Sequence, residues 1–372
     1  NIENTYFNHS SEMNFKDRDA LVIGPIVSEA VASFDEYWNF KKTVASAELV
    51  DVQEVLEKGK FRRYDRREDY QFGTFFKKLD EEVGSVESRF GSRLHTVKRM
   101  RFIVDHPGKN RSIFLSGQGA STRALSDTIA DARSSLIIQT PYLVLSGKAS
   151  GLFKKMRERR PNLRIAVSTN SFGSTDNILA YSANYRMRAK YMEELGMQIY
   201  EYMPHPSDFA SVLPQHKELE KLARVRIANG RQERMPFLCI HAKSFVVDDR
   251  IAFIGSFNLD PRSENLNTEV GLLIDDPVIA AQLKADILND MKGENSWVIG
   301  PRKIPLQLDK ANSLLDKILG RAPVDLWPLQ NTTSFQLIPG KQEVHPGHPA
   351  FHQNYREAGD FPGADGLLSN KE

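Results

Sequence analysis

Residues 237–258 read Phe-Leu-Cys239-Ile-His241-Ala-Lys243-Ser-Phe-Val-Val-Asp248-Asp-Arg-Ile-Ala-Phe-Ile-Gly255-Ser256-Phe-Asn258. Two apolar β-type runs, 237–247 and 251–254, flank Asp-Asp-Arg, the composition of a tight hairpin turn. His241 and Lys243 stand two apart on the first run and so project from one face. An imidazole beside a fixed cation, followed by a Gly-Ser pair and an amide, suits a phosphodiester. The cation and amide can hold non-bridging oxygens while the imidazole attacks phosphorus or moves a proton. A core histidine beside a snorkelling lysine is the plain alternative. The Gly255-Ser256-x-Asn258 that follows the His-x-Lys-x4-Asp spacing weighs against coincidence.

Outward from this stretch, the pattern is one of alternating strands and helices. Strands are predicted at 101–104, 135–139, 163–168, 197–200 and 270–274, with helices at 122–132, 148–160, 178–195 and 278–291. This spacing defines an α/β fold with mixed sheets flanked by helices. Upstream, residues 19–23 read as a strand before Gly24-Pro25, and 26–38 as a helix. Residues 41–100 are charged and weakly periodic. Their basic cluster (Lys58, Lys60, Arg62, Arg63, Arg66, Arg67) reads as a solvated face, with anionic headgroups as the alternative partner. A short amphipathic helix is predicted over 309–319, with Leu314, Leu315, Ile318 and Leu319 on one face. Beyond about residue 330, Gly, Pro, His and Asn dominate, the composition of a disordered tail.

Composition narrows the function. Across 372 residues, 50 Lys and Arg against 48 Asp and Glu leave a net charge of +2, too balanced for a nucleic-acid coat. One cysteine, Cys239, excludes an internal disulfide framework and a Cys-rich zinc site. No apolar run reaches the ~20 residues of a membrane span, so membrane contact is expected to be peripheral. His205 and His216 lie in a Pro-rich polar stretch and read as loop histidines. His345, His348 and His352 resemble a metal set, but their tail offers no scaffold to fix ligand geometry. Cys239 shares the His241 face and reads as a small buried hydrophobe, and Trp38, Trp297 and Trp327 as core or interface aromatics.

Residues 258–291 also resemble 1–38: each has an Asn, then an acidic residue (Glu269; Asp19), an apolar strand, a Pro and a helix. Such a repeat is expected of two related halves. The His-x-Lys-x4-Asp motif with its Gly-Ser-x-Asn resembles the signature of the phospholipase D superfamily. Thr140-Pro141-Tyr142, Thr169-Asn170-Ser171, Ser174-Thr175-Asp176 and 195–202 are similar to the second lobe of bacterial cardiolipin synthase-type enzymes. The resemblance implies a pseudo-two-fold, two-lobe fold in which two such motifs meet. One histidine forms a phosphohistidine and the other serves as general acid, then base, with no cofactor and no metal. It assigns His241, Lys243, Asp248 and Glu269 as catalytic, with Glu269 hydrogen-bonding the histidine's other nitrogen. It assigns Lys243, Ser256, Asn258 and Asn1 to phosphate binding, and Asp19 as the first-lobe carboxylate.

Asn1-Ile2 match the close of the first motif, whose histidine, lysine and aspartate are then expected upstream of residue 1. The chain is accordingly expected to be a fragment: the remainder of a first lobe over 1–100, a second lobe over 101–300, an extension over 301–330 and a tail over 331–372. The implied activity is that of the parent enzyme, with the isolated chain itself not assured of turnover: phosphatidyl transfer at the bacterial cytoplasmic membrane. Its substrates would be phosphatidylglycerol, with phosphatidylethanolamine as a further candidate, and no nucleic acid. A phospholipase D-type hydrolase and a non-catalytic remnant are the rivals, and the oligomeric state is left open.

Overall fold

The computed structural model describes residues 3–59, 77, 80–109, 119–230, 234–302 and 331–363. Its first elements are strand β1 (Met13–Lys16), helix α1 (Ile26–Trp38), helix α2 (Val50–Lys58) and strand β2 (Met100–Val104). Then come α3 (Ala120–Ala130), β3 (Ser135–Gln139), α4 (Gly147–Arg159), β4 (Arg164–Asn170), α5 (Ile178–Glu193) and β5 (Met197–Tyr202). Helix α6 (His216–Ala228) leads to β6 (Phe237–Ile240), β7 (Lys243–Val247) and β8 (Ile251–Gly255). The last are β9 (Val270–Asp275), α7 (Pro277–Asp290), β10 (Ser296–Pro301), β11 (Thr332–Leu337) and β12 (Tyr355–Gly359).

Ten of these strands form one mixed sheet in the order β12-β11-β10-β5-β4-β3-β7-β8-β9-β2. Strands β3, β4 and β5 run parallel, joined by helices, and the rest pair antiparallel. The central strands are apolar on both faces, as burial between helices requires. On one face Ile138, Val167, Ile199, Phe245 and Phe253 form a core with Leu125, Phe153 and Tyr191 of α3, α4 and α5. Helix α7 lies against β3, β7 and β8, burying Ala280, Leu283 and Ile287. Asp276 caps α7 by accepting from the amides of Val278 and Ile279, and Pro277 occupies its first turn.

The architecture is the mixed α/β one expected, with four local differences. The run 237–247 is not one strand: it breaks at His241-Ala242 into β6 and β7, and β6 pairs in parallel with β1, outside the large sheet. The upstream strand is Met13–Lys16 rather than 19–23, because β1 finds a partner edge in β6 while Leu21 and Ile23 stay exposed. Residues 331–363 are ordered, not a disordered tail. Phe335, Phe351 and Tyr355 bury against Val298, and buried Arg188 donates to Thr332 Oγ1 (3.1 Å), the Thr332 carbonyl (2.9 Å) and Asp360 (3.4 Å). His216 opens helix α6 instead of lying in a loop. The helix predicted at 309–319, Trp327, and all of the basic cluster except Lys58 lie outside the described residues.

The described residues divide into two compact units, one comprising those up to Glu29 with those from Arg99 onward, the other Ala30–Lys98. In the smaller unit, Phe34 stacks on Trp38 at 5.7 Å, and both rings are exposed. Among the described residues no helix is long and apolar enough to cross a membrane.

The β7–β8 turn shows what Asp248 does. Asp248 and Asp249 both adopt left-handed backbone (φ 50° and 56°), and the Arg250 amide donates to the Val247 carbonyl at 3.0 Å, a primed-type turn within the three-residue connection 248–250 between paired Val247 and Ile251. The Asp248 carboxylate accepts from the amides of Arg133, Ser134 and Ser135 (2.7–3.1 Å) and from Ser134 Oγ (2.8 Å). Burial alone would raise its pKa; those amide bonds outweigh it and hold the carboxyl below the usual range. Asp248 thus ties the hairpin to the start of β3. Replacing it should cost about 2–3 kcal/mol of unfolding free energy for Asp248→Ala. Asp248→Asn, which keeps the left-handed preference, should cost less. Urea denaturation compares the two, and an Asp248→Asn variant as stable as the wild type would contradict the charge-assisted role.

Candidate active site

Lys243, the first residue of β7, pairs with Gly255, the last of β8, so the Gly-Ser-x-Asn segment leaves the sheet at the lysine's end of the hairpin. Gly255 is required there. A Cβ would come within 2.5 Å of the Val270 carbonyl and 2.7 Å of Gly271 Cα on the neighbouring strand, both backbone atoms that cannot move aside. His241 sits in the break between β6 and β7. Asn170, at the end of β4, fixes that break: its Oδ1 accepts from the Ile240 amide and its Nδ2 donates to the Ile240 carbonyl, each at 2.8 Å. The residue before the histidine is thereby hydrogen-bonded as if by another strand.

Around the imidazole, Nδ1 donates to Asp17 Oδ2 at 2.8 Å, which assigns that proton and leaves Nε2 as the acceptor. Lys243 Nζ lies 2.8 Å from Nδ1 and 2.7 Å from Nε2. The Tyr6 hydroxyl faces Nε2 at 3.4 Å, and the rings of Tyr6 and Phe15 pack at 5.2 and 4.6 Å from that of His241. Burial, then the Asp17 charge, push the Tyr6 hydroxyl up to about 12, so it is protonated at neutral pH. Burial also raises the Asp17 carboxyl. The bond from His241, the Arg18 amide, and the charges of His241 and Lys243 overcome this and hold it below the ordinary value. Lys243 is 6% exposed. Burial brings its ammonium down to about 8 from 10.5, against the pull of Asp17, Asp176, Cys239 and Glu269.

The sequence-predicted residues separate in space. His241 and Lys243 are in contact, and Ser256, Asn258 and Glu269 cluster at the same end of the hairpin. Asp248 is at the other end of β7, in its structural turn. Glu269 does not bond the histidine: its carboxylate accepts from Ser256 Oγ, and its amide donates to buried Asp105 at 3.1 Å. The carboxylate on His241 is Asp17 in place of the expected Glu269, and Asp19, expected as the first-lobe carboxylate, is exposed. Among the described residues Asn258 Oδ1 is buried without a hydrogen-bond partner, an unused polar end close to the motif. Asn1 lies outside the described residues.

Tyr6, Phe15, Asp17, Tyr142 and Asp176 were not legible as site residues. Asp176 accepts from Tyr142 at 2.6 Å and lies 3.8 Å from Cys239 Sγ. The thiol is fully buried and pushed well up by that burial, so it is not a nucleophile. His205 and His216 are bound to the backbone carbonyls of Pro236 (2.9 Å) and Leu213 (3.0 Å). His352 packs on Phe335 and Phe351. Among the described residues no group of three or more His, Cys, Asp or Glu is arranged to hold a metal.

This geometry falls within a recognised class. Residues 125–291 match the family model described as "Cardiolipin synthase, PLD-like domain", and this part of the chain is a phospholipase D-like domain of the phospholipase D superfamily. Among curated proteins, the chain is 27% identical over 309 residues to an uncharacterized protein of Helicobacter pylori, covering 80% of this chain and 54% of that protein. It is 25% identical over 347 residues to cardiolipin synthase C of Escherichia coli, covering 86% and 67%. The chain thus spans about half the length of the first of these relatives. Among solved structures, the phospholipase D family member Nuc from Salmonella typhimurium aligns with a TM-score of 0.33 at 17% identity, covering 53% of this chain and 97% of that one.

Lys243 gives the site a pH signature. Its folded-state pKa of about 8 lies below the unfolded 10.5, so over that window the unfolded chain binds more protons and stability rises with pH. Over the same window the ammonium is lost, and binding of inorganic phosphate or tungstate should weaken. Titration calorimetry should show the decline centred near the lysine pKa and absent in Lys243→Met, whose affinity is low throughout. A wild-type profile flat across that range would contradict the assignment.

Proposed function

We propose that this site transfers a phosphatidyl group between phospholipids, in the manner of a cardiolipin synthase, through a phosphohistidine on His241. The observation that carries the reading is the contact set of His241: a carboxylate on Nδ1, an ammonium against the ring about equally near both nitrogens, and close to the motif an Asn258 amide oxygen without a partner among the described residues. Asp17 holds the proton on Nδ1 and directs the Nε2 lone pair outward. Lys243, with the Asn258 amide turned to present its NH2 end, binds the non-bridging oxygens as they gain charge. Nε2 attacks phosphorus, an N–P bond forms, and the P–O bond to the departing alcohol breaks.

The leaving oxygen takes its proton from the Tyr6 hydroxyl, which stands 3.4 Å from Nε2 and, unlike the closer Lys243 ammonium, is not engaged in holding the phosphate. The hydroxyl of a phosphatidylglycerol then attacks phosphorus, returns its proton to the tyrosinate and frees the histidine. Phosphatidylglycerol is the acceptor in this scheme, and phosphatidylglycerol or phosphatidylethanolamine the donor. The matched family model and the likeness to the Escherichia coli synthase support a lipid rather than a nucleic-acid diester. The reading places the protein at the cytoplasmic membrane surface as a peripheral enzyme.

Vesicles of phosphatidylglycerol and phosphatidylethanolamine, followed by lipid mass spectrometry, test this. Cardiolipin is expected from the wild type, with a loss of about 10³-fold or more in His241→Ala. Phosphatidic acid as sole product would reassign the site to hydrolysis, and no turnover of either lipid would remove the reading. Asp17→Asn should lower turnover about a hundredfold or more with lipid binding little changed, because it disturbs the histidine tautomer rather than the phosphate contacts. An unchanged rate would exclude Asp17 from that role.

A further inference from the structure

Behind the phosphate-binding segment lies a cavity of about 300 Å³ that the chemistry above does not use. It lies between the sheet and helices α3 and α4. Its walls are Leu125 and Ile129 of α3, Leu152 and Phe153 of α4, and Phe245 and Phe253 of the sheet. Phe245 follows Lys243 by two on β7, so the two side chains leave the same face of the strand. Phe257 and Leu259, the neighbours of Asn258 on either side, also line it. The apolar space therefore begins where the phosphate-binding residues end. Its charged lining combines Arg123 and Lys148 with Asp127, Asp260 and Glu264.

We infer that this cavity seats an acyl chain of the phospholipid whose phosphodiester is held at Lys243 and Asn258. The inference rests on the phospholipid reading of the site and adds where the tail goes. An apolar cavity of about 150 Å³ takes up a benzene ring, so this one accommodates roughly a dozen carbons, the inner part of one chain rather than two. Its aliphatic and aromatic walls offer a tail contacts that water does not. A single chain would be drawn into it while its neighbours remain in the bilayer.

The test is binding of monomeric lysophosphatidylglycerols to the full chain, read by titration calorimetry with octanoyl, decanoyl and dodecanoyl tails, alongside the tail-free diester glycerophosphoglycerol. Affinity should rise about fourfold per methylene until the cavity is filled, then level off. Ala149→Phe, which adds a ring to the cavity wall, should abolish the chain-length dependence and leave glycerophosphoglycerol binding unchanged. Leu152→Ala, which enlarges the cavity, should move the plateau to longer tails, so a folding defect in the first variant does not decide the matter.

Chain-length dependence unaltered by both variants would overturn the acyl seat while leaving the phospholipid reading standing. Failure of both the tail-free diester and the lysolipids to bind would overturn the two together. Lysolipid binding no tighter than that of glycerophosphoglycerol would overturn the seat alone.

Discussion

An ammonium group with almost no access to water governs the arrangement of this site. Removing such a charge from water costs several kcal/mol unless opposite charges and hydrogen bonds surround it. Around Lys243 the protein sets Asp17, Asp176 and Glu269, each from a different segment, and their combined pull does not fully offset the burial. The same demand accounts for the break at His241-Ala242. A regular strand would carry the imidazole onward along the sheet, whereas the break lets it turn back onto the lysine and Asp17.

The two ends of strand β7 divide the labour. At one end the chain is irregular, glycine-bearing and partly unsatisfied, with Asn258 holding an unbonded oxygen. At the other, Asp248 gathers three consecutive amides and a hydroxyl into a rigid turn. Strong satisfaction at one end and incomplete satisfaction at the other distinguish a scaffold from a ligand site. A motif written as one string, His-x-Lys-x4-Asp, thus combines two residues of the site with one that braces the hairpin.

Much of the sheet could be read from the sequence. The run 135–139 carries an uninterrupted β-branched and Leu core, and Pro161, Gly196 and Pro277 punctuate the helices around it, so those elements fall where periodicity places them. The ordered C-terminal segment was hidden because its Gly, Pro and His content masks two short strands. Their order comes from pairing with β10 and from Arg188, both distant in sequence. The β6–β7 break was hidden because Phe-Leu-Cys-Ile-His-Ala-Lys-Ser-Phe-Val-Val is apolar on both sides of it, and the agent that interrupts it is an Asn side chain about seventy positions upstream. Asp17 was hidden because the apolar run 19–23 reads as the strand and the resemblance puts Glu269 on His241, whereas Asp17 directly follows β1. Tyr6 and Phe15 gave no local signal, since an aromatic ring beside a histidine is a product of the tertiary fold.

The bond between Asp17 and His241 joins positions 224 apart. Closing so long a segment carries an entropic penalty that no local contact offsets. During synthesis the N-terminal residues leave the ribosome well before their partner strand exists, so β1 with Tyr6, Phe15 and Asp17 stays unpaired until β6 has been made. The central sheet can gather earlier, from β3, β4 and β5. Competence of the site therefore belongs to the late part of the folding sequence: a chain halted before residue 241 has much of its parallel core but nothing on which the first seventeen residues can dock.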